Sequence, residues 1–168
     1  MKKNSYQLTD DVKLLQKVVL IHSDKFLILQ REENSHSRPL AWDLPGGNAE
    51  WPETLEDKEN PHQTEVAREV FEETGIKVSE DLFTNENLVE LRTYFEAQNQ
   101  VFSVITGWKI ILKNDFDEHS VQISYEHINY KWISLSEIDD YDFGDFKGEF
   151  IKTIIRKSIG WQDLQPKK

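Results

Sequence analysis

The 168-residue chain contains no cysteine. That excludes disulfides, thiolate nucleophiles and cysteine zinc sites together, and it fits a reducing, cytoplasmic setting. Positive charge is scarce: 20 Lys and Arg face 31 Asp and Glu, a formal net charge of −11. Such a field repels a phosphate backbone at long range, so no nucleic-acid partner is expected. A small polyphosphate is a different matter, because a bound divalent cation reverses the local sign. Long apolar runs are missing too. The longest, near Val104 to Leu112, is broken by Thr106, Gly107 and Lys109, and no membrane span is expected. Lys2 and Lys3 are followed by Asn4 to Asp11 with no apolar core, which argues against a signal peptide. Repeats, low-complexity tracts and Pro/Gly-rich linkers are absent. One domain over residues 1–168 is therefore expected, with residues 1–12 as a polar arm.

What is present is enough to fold. Hydrophobic residues make up 38% and aromatics 11%, which supports a packed core and excludes a disordered chain. Val18 to Ile21 and Phe26 to Leu29 are short β-rich runs around a turn-like His22-Ser23-Asp24-Lys25, and read as a hairpin. Glu32 to Pro39 is a polar loop, and Trp42-Asp43-Leu44 reads as a short strand before the backbone break at Pro45-Gly46-Gly47. Asn60, Pro61 and Gln63 form a helix-start signature with the spacing of a capping box. That helix should run to Glu73 and stop at Gly75, with Ile76 as the apolar cap contact. Strands are expected at Leu88–Phe95, Val101–Leu112 and Tyr130–Ile133, a helical turn at Ser136–Ile138, and an amphipathic helix over Phe146–Ile159. The mixture gives an α/β or α+β layered domain.

The segment Arg68-Glu69-Val70-Phe71-Glu72-Glu73-Thr74-Gly75-Ile76 carries the chemistry. On a helix Glu69, Glu72 and Glu73 are related as i, i+3 and i+4 and share a face, with Glu65 one turn upstream. Like charges at this spacing repel, and the C-terminal half of a helix disfavours anions further. Two readings are open. One is a solvated acidic face relieved by Arg68, four residues before Glu72. The other is a carboxylate set for a hard divalent cation, which takes oxygen ligands and cancels the repulsion.

Arg-Glu-apolar-x-Glu-Glu-x-Gly-apolar arises by chance in roughly one chain in a hundred thousand of this length. Upstream stand Leu44-Pro45-Gly46 and Gly47, with Glu53 following Gly47 after five residues. On these residues the chain resembles the Nudix hydrolase family, over the catalytic motif and more loosely from Val18 to Ile138. The resemblance implies an α/β/α sandwich with a mixed sheet between helices. It also implies Mg2+ or Mn2+ at Glu69, Glu72, Glu73 and the Gly47 carbonyl. Gly46, Glu53 and Arg68 would orient the loop and helix. The implied reaction is pyrophosphohydrolysis of a small-molecule nucleoside diphosphate linked to another moiety, such as a nucleoside triphosphate, ADP-ribose, a nucleotide sugar or a dinucleoside polyphosphate.

Here fourteen residues separate Glu53 from Arg68, where the family pattern has seven. The extra residues fall around Leu55–Asn60, before the predicted helix cap, and a surface loop tolerates such an insertion at small entropic cost. A later loop usually supplies a fourth carboxylate. Glu126, in Ser124-Tyr125-Glu126-His127, matches that place better than Glu118. The general base stays open among Glu72, Glu73 and Glu126. Arg31 and Arg38 flank the loop before Trp42 and meet either phosphate or solvent; Trp42 and Tyr94 either stack on a base or join the core. Tyr94 lies eighteen residues beyond Ile76, close to a spacing associated with dinucleoside polyphosphate hydrolases, while the proline typical of ADP-ribose hydrolases is absent from that stretch. The five histidines, 22, 36, 62, 119 and 127, show no ligand spacing. Two rival functions share the fold: a catalytically silent domain that binds a nucleotide or protein, and an isopentenyl-diphosphate-type isomerase. The isomerase chemistry commonly uses a cysteine, which this chain lacks. Oligomeric state is left open.

Overall fold

A sheet whose central strands are apolar on both faces has to be covered twice, and this chain supplies one helix for each side. The computed structural model describes residues 12–50, 57–144 and 146–159. The order is β1 (Val12–His22), β2 (Lys25–Arg31), β3 (Trp42–Asp43), α1 (Pro61–Thr74), β4 (Leu88–Glu96), β5 (Val101–Ile111), β6 (His127–Ser134) and α2 (Phe146–Ser158). Single 3-10 turns lie at Glu80–Leu82 and Glu118–Ser120, and a longer one at Leu135–Asp140.

The sheet is mixed, as expected. β1 runs parallel to β5 from Val12↔Phe102 to Ile21↔Ile111, while β4 is antiparallel to β5 and β6 antiparallel to β2. Alternation along β1 sorts the core. Val19 and Ile21 face α2 with Phe26, Ile28, Ile151, Ile154 and Ile155; Val18 and Leu20 face α1 with Leu27, Leu29, Val66, Val70 and Trp108. Gly107 on β5 admits α2 closely, since a Cβ there would lie 2.5 Å from Ile154 Cγ2. Val66 and Val70 of α1 are fully buried, and each contributes about 1.5–3 kcal/mol of hydrophobic stabilisation.

The divergence of two neighbouring strands positions the turn between β3 and α1. β1 and β2 pair only beside their turn, at Ile21↔Phe26 and His22↔Lys25, and then diverge. The chain after β3 fills the wedge: Val18 N–H donates to Pro45 O (2.9 Å), Gln16 N–H to Gly47 O (2.9 Å) and Ala49 N–H to Leu14 O (2.8 Å). The turn Leu44–Gly47 therefore lies in the plane of the sheet, as a strand substitute.

Several expectations shift in detail. α1 starts at Pro61, but no capping box forms: Asn60 is left-handed (φ 50°) and makes no side-chain cap. The Gln63 amide instead donates to Phe83 O across to the following loop (3.0 Å). The helix ends as expected, with Gly75 at φ 72° donating to Phe71 O (2.8 Å) and Ile76 buried behind it. Val12, assigned to the polar arm, opens β1; residues 1–11 lie outside the described region. Leu44 falls outside β3, and β6 extends from the expected Tyr130–Ile133 to His127–Ser134. No helix among the described residues is long and apolar enough to cross a membrane.

Candidate functional site

The C-terminal half of α1 meets the wedge turn, and the sequence spacing decides how. Val66 and Val70 face the core, which leaves Glu69 and Glu73 directed at Gly46 and Gly47, and Glu72 at the solvent side. The Glu73 carboxylate is 8% exposed and accepts the Gly46 N–H at 2.7 Å. Burial pushes its pKa up to about 8, against the pull of Lys17 and of that hydrogen bond. Glu69 packs against the next glycine: a Cβ on residue 47 would lie 2.6 Å from Glu69 Oε2, so a side chain there would displace that carboxylate. Burial also raises Glu69, although Arg68 opposes it. Gly46 has φ 118°, and a Cβ there would be 2.3 Å from the backbone Gln16 O, so this position is closed to any side chain.

Arg68 is the hub of the helix surface. It donates to Glu72 (2.7 Å), Glu65 (2.9 Å) and Glu69 (2.9 Å), with Glu50 at 3.9 Å. Its expected partner Glu53 lies outside the described residues. The Glu72 side chain, 52% exposed, is turned towards Arg68, so the three glutamates do not converge equally. No group of three or more acidic or histidine side chains is already gathered as a metal cage among the described residues. What is gathered suits a hard cation all the same: two carboxylates drawn out of water, beside a turn whose Gly46 admits no side chain. The Gly47 carbonyl accepts from Gln16 N–H and keeps a second lone pair.

Opposite this acidic corner stands a second buried carboxylate that sequence reasoning passed over. Asp43 is 0% exposed and is met by Arg38 (2.5 Å), Lys17 (3.1 Å) and Arg31 (3.3 Å). Burial pushes it up, but Lys17, Arg38, the Leu44 N–H and Arg31 together hold it below the ordinary carboxylate range. Arg31 and Arg38, expected to meet phosphate or solvent, are thus committed to Asp43 while still lining the cleft. Lys17 is the other missed residue: 6% exposed, it also donates to Gly46 O (2.7 Å) and Leu44 O (3.1 Å). The readable signals were polar interruptions of apolar runs, Gln16-Lys17 before Val18 and Asp43 between Trp42 and Leu44.

The cleft between these two clusters has a volume of about 600 Å³. Glu69, Glu73, Gly46 and Gly47 form one wall; Arg31, Arg38, Lys13 and Tyr94 contribute elsewhere, and Glu126 stands at the exposed rim. The backbone carbonyl of Glu126 accepts the Glu32 N–H (2.9 Å), which fixes that loop beside β2. Glu118, the alternative, is bound to His22 (2.9 Å) and Lys25 (3.2 Å) and does not line the cleft. Trp42 goes to the core, 9% exposed and edge-on to Tyr141 at 5.2 Å, so it offers no face to a base. Tyr94 is exposed on the cleft wall. His127 is buried, with Nε2 3.9 Å from Glu73 Oε1, and burial lowers it to about 4, so it is neutral at pH 7. A smaller recess of about 180 Å³ adjoins the cleft through Leu15, Lys17, Arg38, Tyr94 and Ile105, and extends to Arg92, Phe150 and Ile151.

Comparison with known proteins accords with this geometry. The family model described as NUDIX domain matches residues 16–154. A "MutT-like protein" of Streptomyces ambofaciens is 42% identical over 67 residues, 40% of this chain and 36% of that protein, so the match spans about a third of the relative's length. Among solved structures, the MutT protein from Methanosarcina mazei Go1 is 26% identical with a TM-score of 0.62, covering 90% of this chain and 98% of that one. A bifunctional NMN adenylyltransferase/ADP ribose pyrophosphatase from Francisella tularensis, complexed with AMP and a manganese ion, is 22% identical with a TM-score of 0.59. That match covers 92% of this chain and 44% of the other.

Proposed function

The chain belongs to the NUDIX family, and from that premise we propose that it is a divalent-metal-dependent pyrophosphohydrolase of a nucleoside diphosphate linked to another group. The observation that carries the reading is the pairing of Glu69 and Glu73, both raised by burial, against the Gly46–Gly47 backbone at the floor of a cleft. Carboxylates desolvated without a full set of donors call for a cation.

Glu69, Glu73 and a carbonyl of the Gly46–Gly47 turn would hold Mg2+ or Mn2+, and Glu72 would join them by releasing Arg68. When bound, the cation supplies charge neutralisation for a diphosphate and lowers the pKa of water. The protein's part is orientation and proton handling. The guanidinium groups of Arg31 and Arg38 give the cleft a cationic wall, since two arginines and Lys17 surround a single carboxylate. Glu126 at the rim, Glu72 or Glu73 takes the proton as water adds to phosphorus and the anhydride P–O bond breaks. The products are a nucleotide and a phosphorylated partner. The apolar recess beside Leu15, Ile105 and Phe150 has the chemistry to take the base or the second moiety.

A second reading draws on Arg68, whose fork already engages Glu69 and Glu72. In that reading the domain binds a nucleotide without hydrolysing it. The experiment that separates the two is a product screen of ADP-ribose, dinucleoside polyphosphates, nucleotide sugars and dNTPs, with and without magnesium or manganese. Metal-dependent turnover of one class establishes the hydrolase and names its substrate. Nucleotide binding with no turnover of any class establishes the silent domain.

A further inference from the structure

We propose that Lys17 is a positioning residue of the acidic centre, an inference that rests on the hydrolase reading above. Its ammonium fixes the wedge turn, and the turn in turn fixes the Glu73 carboxylate. A lysine nine-tenths buried in a strand needs a reason, because desolvating an ammonium costs several kcal/mol unless every proton finds an acceptor. Lys17 has three donors and three acceptors: Gly46 O at 2.7 Å, Leu44 O at 3.1 Å and Asp43 Oδ2 at 3.1 Å. That set is full. No proton is left for a phosphate, so Lys17 acts through what it holds and not by touching substrate.

What it holds is a single residue gripped from both sides. Lys17 rises from β1 on the face shared with Val19 and Ile21, and takes the Gly46 carbonyl. Glu73 comes from α1, on the opposite side of the sheet, and takes the Gly46 N–H at 2.7 Å. Gly46 lies against β1 with no room for a side chain, since a Cβ there would be 2.3 Å from Gln16 O. The turn is thereby held between an ammonium on its carbonyl and a carboxylate on its N–H. Neutralising Asp43 does not by itself require Lys17, because Arg31 and Arg38 remain on that carboxylate when the lysine is removed. The part unique to Lys17 is its hold on the Leu44 and Gly46 carbonyls.

The test is Lys17→Met, which keeps an unbranched stem and removes the donors. Three quantities are compared with wild type: the amide resonance and hydrogen exchange of Gly46, the Mn2+ dissociation constant from water-proton relaxation, and the split between kcat and KM. Loss of a group that orients metal ligands typically weakens metal binding or activity 10- to 100-fold, so a rise in the Mn2+ Kd of about 10-fold is expected, with kcat down by about as much and KM changed by less than about twofold. The Gly46 amide should move upfield and exchange faster as its bond to Glu73 loosens. Should Lys17→Met not fold, Lys17→Gln, which retains a donor, is measured in the same way and should show a Mn2+ Kd above, and a kcat below, those of wild type. An unchanged Gly46 amide and Mn2+ affinity, with only the melting temperature lowered, would make Lys17 plain core support and overturn the proposal. Tighter Mn2+ binding would also overturn it, since Lys17 would then act only by repelling the cation. If wild-type protein neither binds Mn2+ nor hydrolyses any nucleotide, the hydrolase reading fails, and the Gly46 amide alone decides whether Lys17 holds the turn.

Discussion

Asp43 and Glu73 lie on either side of one short turn, Leu44 to Gly46, and both are withdrawn from water, yet they are driven in opposite directions. Asp43 is surrounded by Lys17, Arg31 and Arg38 and held below the ordinary carboxylate range. Glu73 has one backbone N–H and a more distant lysine, and is raised to about 8. Burial is shared; the supply of positive charge is not. The difference separates a carboxylate surrounded by three cationic side chains from one with few positive partners. Asp43 organises the wall of the cleft, and on the proposed reading Glu73 is the group that takes a cation.

The comparison can be broken most forcefully from the Asp43 side. Asp43→Asn leaves three cations around a neutral amide, and removing one partner of a buried ionic cluster costs about 3–5 kcal/mol. Chemical denaturation should show that loss; a change below about 1 kcal/mol would mean the cluster is solvated and the contrast with Glu73 is empty. Glu73→Gln should do the reverse. The fold and its stability persist, while metal-dependent turnover falls by at least about 100-fold, as expected when a ligand that stabilises transition-state charge is lost. Steady-state kinetics on the substrate found in the screen checks this, and near-wild-type kcat would remove Glu73 from the centre. Glu126→Gln, at the rim, should lower kcat by about 100-fold if Glu126 is the base, and an unchanged rate would leave Glu72 and Glu73 as the remaining groups.

The smallest effect is also the most particular to this pair. In metal-free protein the two residues should bend the stability–pH profile in opposite directions. Asp43, depressed on folding, contributes stability above its unfolded pKa that is lost as pH falls through its lower folded value. Glu73, raised on folding, contributes stability in acid that is lost as pH climbs from the ordinary carboxylate value of 4.5 through about 8. Asp43→Asn should erase the acid limb and Glu73→Gln the neutral-to-basic one. Melting temperatures measured across pH in the presence of a chelator would show whether each variant flattens its own limb.

How much of this was legible in the sequence depends on whether a residue's role is local. α1 and its end at Gly75 could be read because proline, valine spacing and a C-terminal glycine act within a few residues. The Glu69–Glu73 spacing could be read for the same reason. Lys17 could not, since its role depends on Leu44 and Gly46 arriving in a wedge that exists only because β1 and β2 diverge. Asp43, Arg31 and Arg38 follow the same rule: each looks like a solvated charge until three segments are brought together. Trp42 illustrates the converse, an aromatic beside a predicted site that packing claimed for the core. The capping box failed for a local reason with a non-local cause. Asn60 takes a left-handed conformation, and the Gln63 side chain turns away to donate to Phe83 O, twenty residues on.

The central claim is that the end of α1 holds a divalent cation through Glu73. Titration of Mn2+ into wild-type and Glu73→Gln protein, followed by water-proton relaxation, tests it most directly. Saturable binding by wild type and a Kd at least about 10-fold higher for the variant are expected. Equal Mn2+ affinity in the two proteins would contradict it.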